Sequence, residues 1–316
     1  MKIGAVVLEG KIFLAPMADY TNVVFRTLCS EYGASLVYTE LISAKAINLR
    51  SKKTRKMLDT SSSEKPVFLQ LFGNDPNEFE NAIKYVEKEL PDSFAGYDLN
   101  CGCAVPKAIK GKYGCYLMDY PELVEKIIRT MKKNTSKPIT LKIRLGLKKR
   151  RYLEIAKIAE EAGVDAICIH PRLGSEHYAG TADLEAVKKL KKSVNIPVIE
   201  SGDIKGKKDV EKVFKKTGCD FVMIGREAIG NAHIFDQIKT GKERKLLDRI
   251  KEAKRYLVLV DEFNLNLNEI KGYFINLPKG IQGASEIRNK FASAKSIAEI
   301  KLILTEMVSL KNQSEN

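Results

Sequence analysis

Short apolar runs alternate with amphipathic stretches from the start of the chain to about residue 240. The runs are 13–15, 35–39, 67–71, 94–99, 139–143, 166–169, 197–199 and 221–224, and they read as strands. Between them, Pro76 to Leu90, Pro121 to Lys133, Arg151 to Ala162, Asp183 to Lys192 and Lys207 to Thr217 read as helices. In one of these, Ile155, Ile158, Ala159 and Ala162 recur at the spacing of a single helical face. Eight β units, most of them followed by a helix, predict an α/β fold of the (β/α)8 TIM-barrel type. The helix after the second run is the weakest in pattern. From about Lys245 the β rhythm stops. Arg249 to Phe263 and Ser296 to Leu310 read as helices separated by a glycine-rich passage, Gly272 to Gly283. The chain is therefore expected to divide into a barrel, residues 1–243, and a small all-helical C-terminal domain, residues 244–316.

The polar positions fall at the strand ends. Met17, Glu40, Gln70, Asn100, Lys142, His170, Ser201-Gly202 and Gly225-Arg226 each stand at or just past the end of a successive run. In a parallel barrel those ends share one face, where sites are built.

Charge narrows the class of partner. The 316 residues carry 54 Lys and Arg against 40 Asp and Glu, a net +14. Residues 244–316 hold 13 of the basic and 9 of the acidic residues, so positive charge is spread over both parts. A basic surface favours phosphate-rich partners such as nucleic acid; the lysine- and glutamate-rich surface of a heat-adapted protein is the alternative. No apolar run reaches the roughly 18 residues of a membrane span, and the start lacks a signal-peptide core. A cytoplasmic protein without a membrane or stable protein partner is expected. Six cysteines in such a chain do not suggest a disulfide framework. Cys29, Cys168 and Cys219 lie in apolar contexts, and Cys101, Cys103 and Cys115 lack the paired spacing of a zinc site, so no metal is expected.

Candidate chemistry concentrates in Asp98-Leu99-Asn100-Cys101-Gly102-Cys103, where a strand gives way to a loop bearing Lys107, Lys110 and Lys112. Cys103 is either a reactive proton donor beside a polyanion or an inert buried thiol. Gly202 and Gly225-Arg226 follow the seventh and eighth strands, where barrels commonly bind phosphate. Lys142 and Arg144 share one side of the fifth strand. A buried lysine needs an anionic or carbonyl-rich partner, either a ligand or Glu40 across the barrel. His170 and Gln70 offer hydrogen bonds to a ligand ring or serve as local caps. Lys45, Arg50, Lys52, Lys53, Arg55 and Lys56 form a second basic loop, either a solvated face or a surface for a phosphate backbone.

These motifs together resemble the tRNA-dihydrouridine synthase family. The resemblance rests on Leu14-Ala15-Pro16-Met17-Ala18, Phe25-Arg26, Tyr38-Thr39-Glu40, Gln70-Leu71-Phe72-Gly73 and Asp98 to Cys103. It continues through Leu141 to Arg144, His170-Pro171-Arg172, Tyr178 to Asp183, Gly202-Asp203-Ile204 and Met223 to Arg226. It implies an FMN-binding barrel with a helical tRNA-binding domain. It further implies that Pro16, Met17, Ala18, Gln70, Lys142, His170, Ser201, Gly202, Asp203, Gly225 and Arg226 hold FMN. Cys103 is implied as the catalytic acid, with Asn100, Arg144, Arg172 and Tyr178 toward the substrate uridine. Three departures from the family pattern stand out: Ala104 follows the cysteine where proline is usual, Ser201 replaces asparagine, and the basic cluster of the C-terminal domain is not evident around Lys271.

The implied reaction is reduction of the uracil 5,6 double bond at the expense of NADPH or NADH, with Cys103 delivering a proton. Thiols are mostly protonated near neutral pH, which suits a general acid. An FMN-dependent barrel oxidoreductase acting on a small molecule such as dihydroorotate is the alternative, and a non-enzymatic RNA-binding protein is a third reading.

Overall fold

The computed structural model describes the backbone of residues 1–64 and 66–314. Eight parallel strands follow one another around a barrel: β1 (Ile12–Leu14), β2 (Val37–Tyr38), β3 (Val67–Phe72), β4 (Gly96–Cys101), β5 (Ile139–Gly146), β6 (Ala166–Leu173), β7 (Val198–Glu200) and β8 (Phe221–Ile224). Ladders join β2 through β8 in sequence and β8 back to β1. The remaining seam is bridged by hydrogen bonds from Ser35 N to Ile12 O and from Leu14 N to Leu36 O, both 2.9 Å. The barrel is nearly closed.

Strand alternation sends Phe13, Tyr38, Phe68, Cys168, Ile199, Phe221 and Met223 into the lower interior. The rings of Phe13 and Phe221 stack there at 4.8 Å. Gly96 is required beside them, since a Cβ at that position would lie 2.6 Å from the Phe68 ring. An N-terminal hairpin, Lys2–Ile3 with Val6–Val7, adds Ile3 and Leu8 to the same cluster and closes the lower end. The upper end is left for polar side chains.

Five helices surround the barrel where the pattern predicts them, Pro76–Glu89, Pro121–Asn134, Tyr152–Glu161, Leu184–Ser193 and Lys207–Thr217, and two more, Val23–Glu31 and Ile234–Thr240, follow β1 and β8. After β2 two short helices, Ala44–Asn48 and Lys52–Met57, replace one long one, which accounts for the weak pattern there. The C-terminal part contains four helices, Leu246–Glu262, Leu267–Asn276, Ala284–Ser293 and Ile297–Ser314. The first five residues of the expected glycine-rich passage, 272–276, are therefore helical, and 277–283 form turns. Gly272 lies within a helix because the barrel approaches it there: a Cβ would stand 2.8 Å from Tyr20 Cε1.

The C-terminal helices are joined to the barrel by aromatic and polar contacts. The Tyr256 and Tyr273 rings stack at 3.9 Å, and Phe25 of the first barrel helix meets Tyr273 edge-on. Buried Glu252 accepts from Ala232 N, His233 N and the Tyr273 hydroxyl and pairs with Arg244 at 2.8 Å. Asn22 Nδ2 donates to Glu269 O. Lys56 Nζ donates to Asn264 O and pairs with Glu269. Lys56 thus serves the C-terminal helices rather than forming part of a free basic loop. Among the described residues, no helix is long and apolar enough to cross a membrane.

Candidate active site

The carboxyl ends of β1 and β5 to β8 surround a cavity of about 660 Å³. Pro16 and Met17 line it from β1, Lys142 from β5, His170 and Arg172 from β6, Ser201, Gly202 and Asp203 from β7, and Gly225 and Arg226 from β8. Tyr178 stands at its rim, 57% exposed, with the Arg226 guanidinium 4.1 Å over its ring. Eleven of the sixteen sequence-predicted site residues therefore line one cavity.

The cavity is electropositive. Among the described residues, Lys142, Lys205 and Arg226 form no ion pair. The alternative partner for Lys142, Glu40, does not pair with it: Glu40 instead accepts the Asp19 backbone N–H at 2.6 Å. Burial, reinforced by the charges of Lys142, Arg144, Arg172 and Arg226, pushes the His170 imidazole down to about 2. Four cations around one neutral imidazole leave a potential suited to an anionic ligand.

Arg172 is spent on architecture. It is 2% exposed and donates to Ala179 O, Gly180 O and Asp203 Oδ2, with one nitrogen against His170 Nε2. Asp203, held in left-handed backbone at φ 54°, also accepts from Ala182 N. This network folds the loop carrying Tyr178 over the cavity. Arg144 behaves similarly: it donates to Gly102 O, Leu173 O and His177 O and does not line the cavity.

Four further predicted residues lie off the cavity wall. Ala18 is exposed beside Met17. Gln70 and Asn100 are buried and hydrogen-bonded to each other. Cys103 is half-buried, whereas the five other cysteines are buried. Its loop borders the cavity indirectly: Asn100 pairs with Lys142 across β4 and β5, and Gly102 packs on the backbone of Lys142 and Ile143. Gly114, at φ 65°, lets the returning chain pass over Cys103, where a Cβ would come within 3.0 Å of the Cys103 Cβ. Cys115 N then donates to Cys103 O. The thiol of Cys115 feels the charge of Arg144, but burial dominates and pushes it up to about 12, leaving it inert.

Three groups here escape sequence reasoning. Lys205 and Lys279 reach the cavity from a loop and from the C-terminal region. Glu200 at the end of β7 is fully buried, its carboxylate oxygens lack a well-formed hydrogen bond, and burial holds it well above the usual carboxylate range. A lone glutamate closing the apolar run of 197–199 is the available signal. Lys271, around which a basic cluster would be expected, donates to Ala294 O.

A cation-lined cavity at the carboxyl end of a parallel barrel, with the Cys103 loop seated on the neighbouring strand, has the form of a TIM-barrel ligand site. The family model "Dihydrouridine synthase (Dus)" matches residues 13–315. The chain is 34% identical over 300 residues to a probable tRNA-dihydrouridine synthase of Aquifex aeolicus, covering 92% of this chain and 94% of that one. It is 36% identical over 237 residues to tRNA-dihydrouridine synthase B of Pasteurella multocida, covering 74% and 70%. This chain belongs to the dihydrouridine synthase family and is an oxidoreductase. Two solved structures share its fold: a 2-naphthoyl-CoA reductase complexed with 2-naphthoyl-CoA (TM-score 0.62, 12% identity, 77% of this chain and 52% of that one), and TcOYE with pHBA (TM-score 0.59, 13% identity, 81% and 97%).

Proposed function

We propose that this protein reduces the 5,6 double bond of uridines in tRNA to give dihydrouridine. FMN would occupy the cavity, NADPH or NADH would be the reductant, and Cys103 the proton donor. The observation that carries the reading is the cavity itself, with Lys142, Lys205 and Arg226 free of carboxylate partners among the described residues and the Cys103 loop seated on the Lys142 backbone.

The residues fit a flavin phosphate and ring. Gly202 and Gly225 leave backbone accessible at the ends of β7 and β8, and Arg226 and Lys205 supply charge for a phosphate. Lys142 and His170 also line the cavity and would serve ring carbonyl and nitrogen edges that need donors. When bound, FMN supplies hydride-transfer chemistry. The protein's part is to hold the ring, to accept a uridine withdrawn from its stack, and to present the Cys103 proton to carbon 5. Asn100, Arg144, Arg172 and Tyr178 act on this view by shaping the walls around the uracil.

Residues 244–316 would form the tRNA-docking domain. Lys52, Lys53 and Arg55 after β2, and Lys107, Lys110 and Lys112 after β4, make no ion pair among the described residues and would steer the phosphate backbone. The test is tRNA-dependent oxidation of NADPH by the flavin-loaded protein, with mass spectrometry of the tRNA for gain of two hydrogens at uridine. Activity should fall steeply with salt; salt-insensitive turnover of a small substrate with none on tRNA would refute the proposal.

A further inference from the structure

A continuous run of buried hydrogen bonds connects the middle of the barrel to the Cys103 loop. The Thr140 hydroxyl donates to Asp98 Oδ1 at 2.5 Å. Asp98 Oδ2 accepts from Gln70 Nε2 at 2.6 Å, and Gln70 Oε1 accepts from Asn100 Nδ2 at 2.9 Å. Asn100 Oδ1 then accepts the backbone N–H groups of Cys103, at 3.0 Å, and Gly102, at 3.3 Å. Strand register produces the run: Gln70 and Asp98 are partners across β3 and β4, and Asp98 and Thr140 across β4 and β5.

The two ends of this run have opposite and fixed polarity. A carboxylate only accepts, and a backbone N–H only donates. Each carboxamide between them has one donating and one accepting end, so a single orientation of both satisfies every group. Turning Gln70 over would turn Asn100 over as well and set its NH2 against two N–H donors. We propose that Asp98 is a positioning residue that dictates the orientation of the Gln70 and Asn100 amides, and through them fixes the backbone that carries Cys103. Burial pushes Asp98 up to about 6, with the hydrogen bonds from Thr140 and Gln70 and the charge of Lys142 opposing the rise, so it is an acceptor at neutral pH. The consequence for turnover rests on the proposed role of Cys103; the consequence for the loop does not.

The logic specifies its own rescue. Asp98→Leu removes the acceptor that anchors Gln70 Nε2, so neither amide is held in place and Gly102 and Cys103 lose a fixed acceptor. Adding Asn100→Asp restores one: Gln70 then donates to one oxygen of the new carboxylate, and the other oxygen accepts both backbone N–H groups. The readouts, on the full flavin-loaded chain, are hydrogen–deuterium exchange across residues 101–104 and the rate at which iodoacetamide alkylates Cys103. Asp98→Leu should speed exchange at Gly102 and Cys103 by about tenfold, the scale of one lost hydrogen bond, and change the alkylation rate. The double variant should return both toward wild type. Exchange in Asp98→Leu within about twofold of wild type, or no recovery in the double variant, would overturn the proposal. Should Asp98→Leu alone not fold, the double variant decides: wild-type exchange supports the proposal, and failure to fold or fast exchange overturns it. Full turnover by Cys103→Ala would remove the acid assignment while leaving the exchange result as the judge of Asp98.

Discussion

Arg172 Nη1 lies 3.1 Å from His170 Nε2, and only the guanidinium has a proton to give in that contact. The imidazole therefore accepts at Nε2 and carries its proton on Nδ1, where it is available as a donor to a cavity ligand. Neutrality follows from the same surroundings, since burial and the neighbouring cations oppose a second proton.

In the protein without flavin, His170 should consequently show no NMR titration between pH 5 and pH 8. The linkage has a definite sign. With the folded value depressed to about 2 from the ordinary 6.5, the unfolded chain takes up the proton first, so this group removes stability as pH falls below about 6.5. Asp98 and Glu200, both raised by burial, act in the opposite direction as pH falls through their folded values. His170→Gln should therefore unfold less readily than wild type in mildly acidic buffer, relative to neutral pH. A His170 resonance titrating near 6.5 would contradict the assignment.

Lys142→Ala and Arg226→Ala should each weaken flavin retention. A lost charge-assisted hydrogen bond costs about 1.5–3 kcal/mol, roughly 10- to 150-fold in affinity. Flavin fluorescence titration of the unliganded protein measures this, and unchanged affinity in both variants would place the flavin elsewhere.

Cys103→Ala should retain flavin and bind tRNA while losing about 100-fold or more of dihydrouridine formation, the usual scale for removal of a general acid. Single-turnover reoxidation of the reduced protein by tRNA isolates that step. Undiminished rates would exclude Cys103 as the donor.

Arg26→Ala should be the most destabilising of these changes. Arg26 is 1% exposed and grips Glu64, itself fully buried, while donating to Thr21 O and Asp59 O. Its loss strands a buried carboxylate, at a cost of about 3–5 kcal/mol. Urea unfolding should show a lowered midpoint with an unchanged slope.

Gly272→Val should separate docking from cofactor binding. The added side chain meets the Tyr20 ring and adds overpacking of about 1–3 kcal/mol at the seam between barrel and C-terminal helices. tRNA affinity should fall more than flavin affinity; equal losses would indicate general unfolding.

The eight strands were legible because each is a short apolar run, and the strand-end residues because a parallel barrel gathers them on one face. The helix Leu267–Asn276 was hidden by Gly272, which reads as a breaker until the Tyr20 ring explains it. A signal was nevertheless present: Asn266 and Glu269 form a capping box, with Asn266 Oδ1 accepting from Glu269 N and Glu269 Oε2 from Asn266 N. The duties of Arg144, Arg172 and Lys56 were not legible, because charged side chains look alike in sequence whether they meet a ligand or a carbonyl from elsewhere in the chain. Asp98 belonged to a recognised motif, yet its role depends on register with β3 and β5, which no local pattern records.

The loop from Met17 to Asn22 faces two ways. Met17 lines the cavity and exchanges hydrogen bonds with Thr21, while Tyr20 and Asn22 touch Gly272 and Glu269 of the C-terminal helices. Six consecutive residues therefore connect the C-terminal helices with the wall of the cavity. Should the C-terminal helices dock tRNA as proposed, any tilt imposed on them would reach the cavity through these residues.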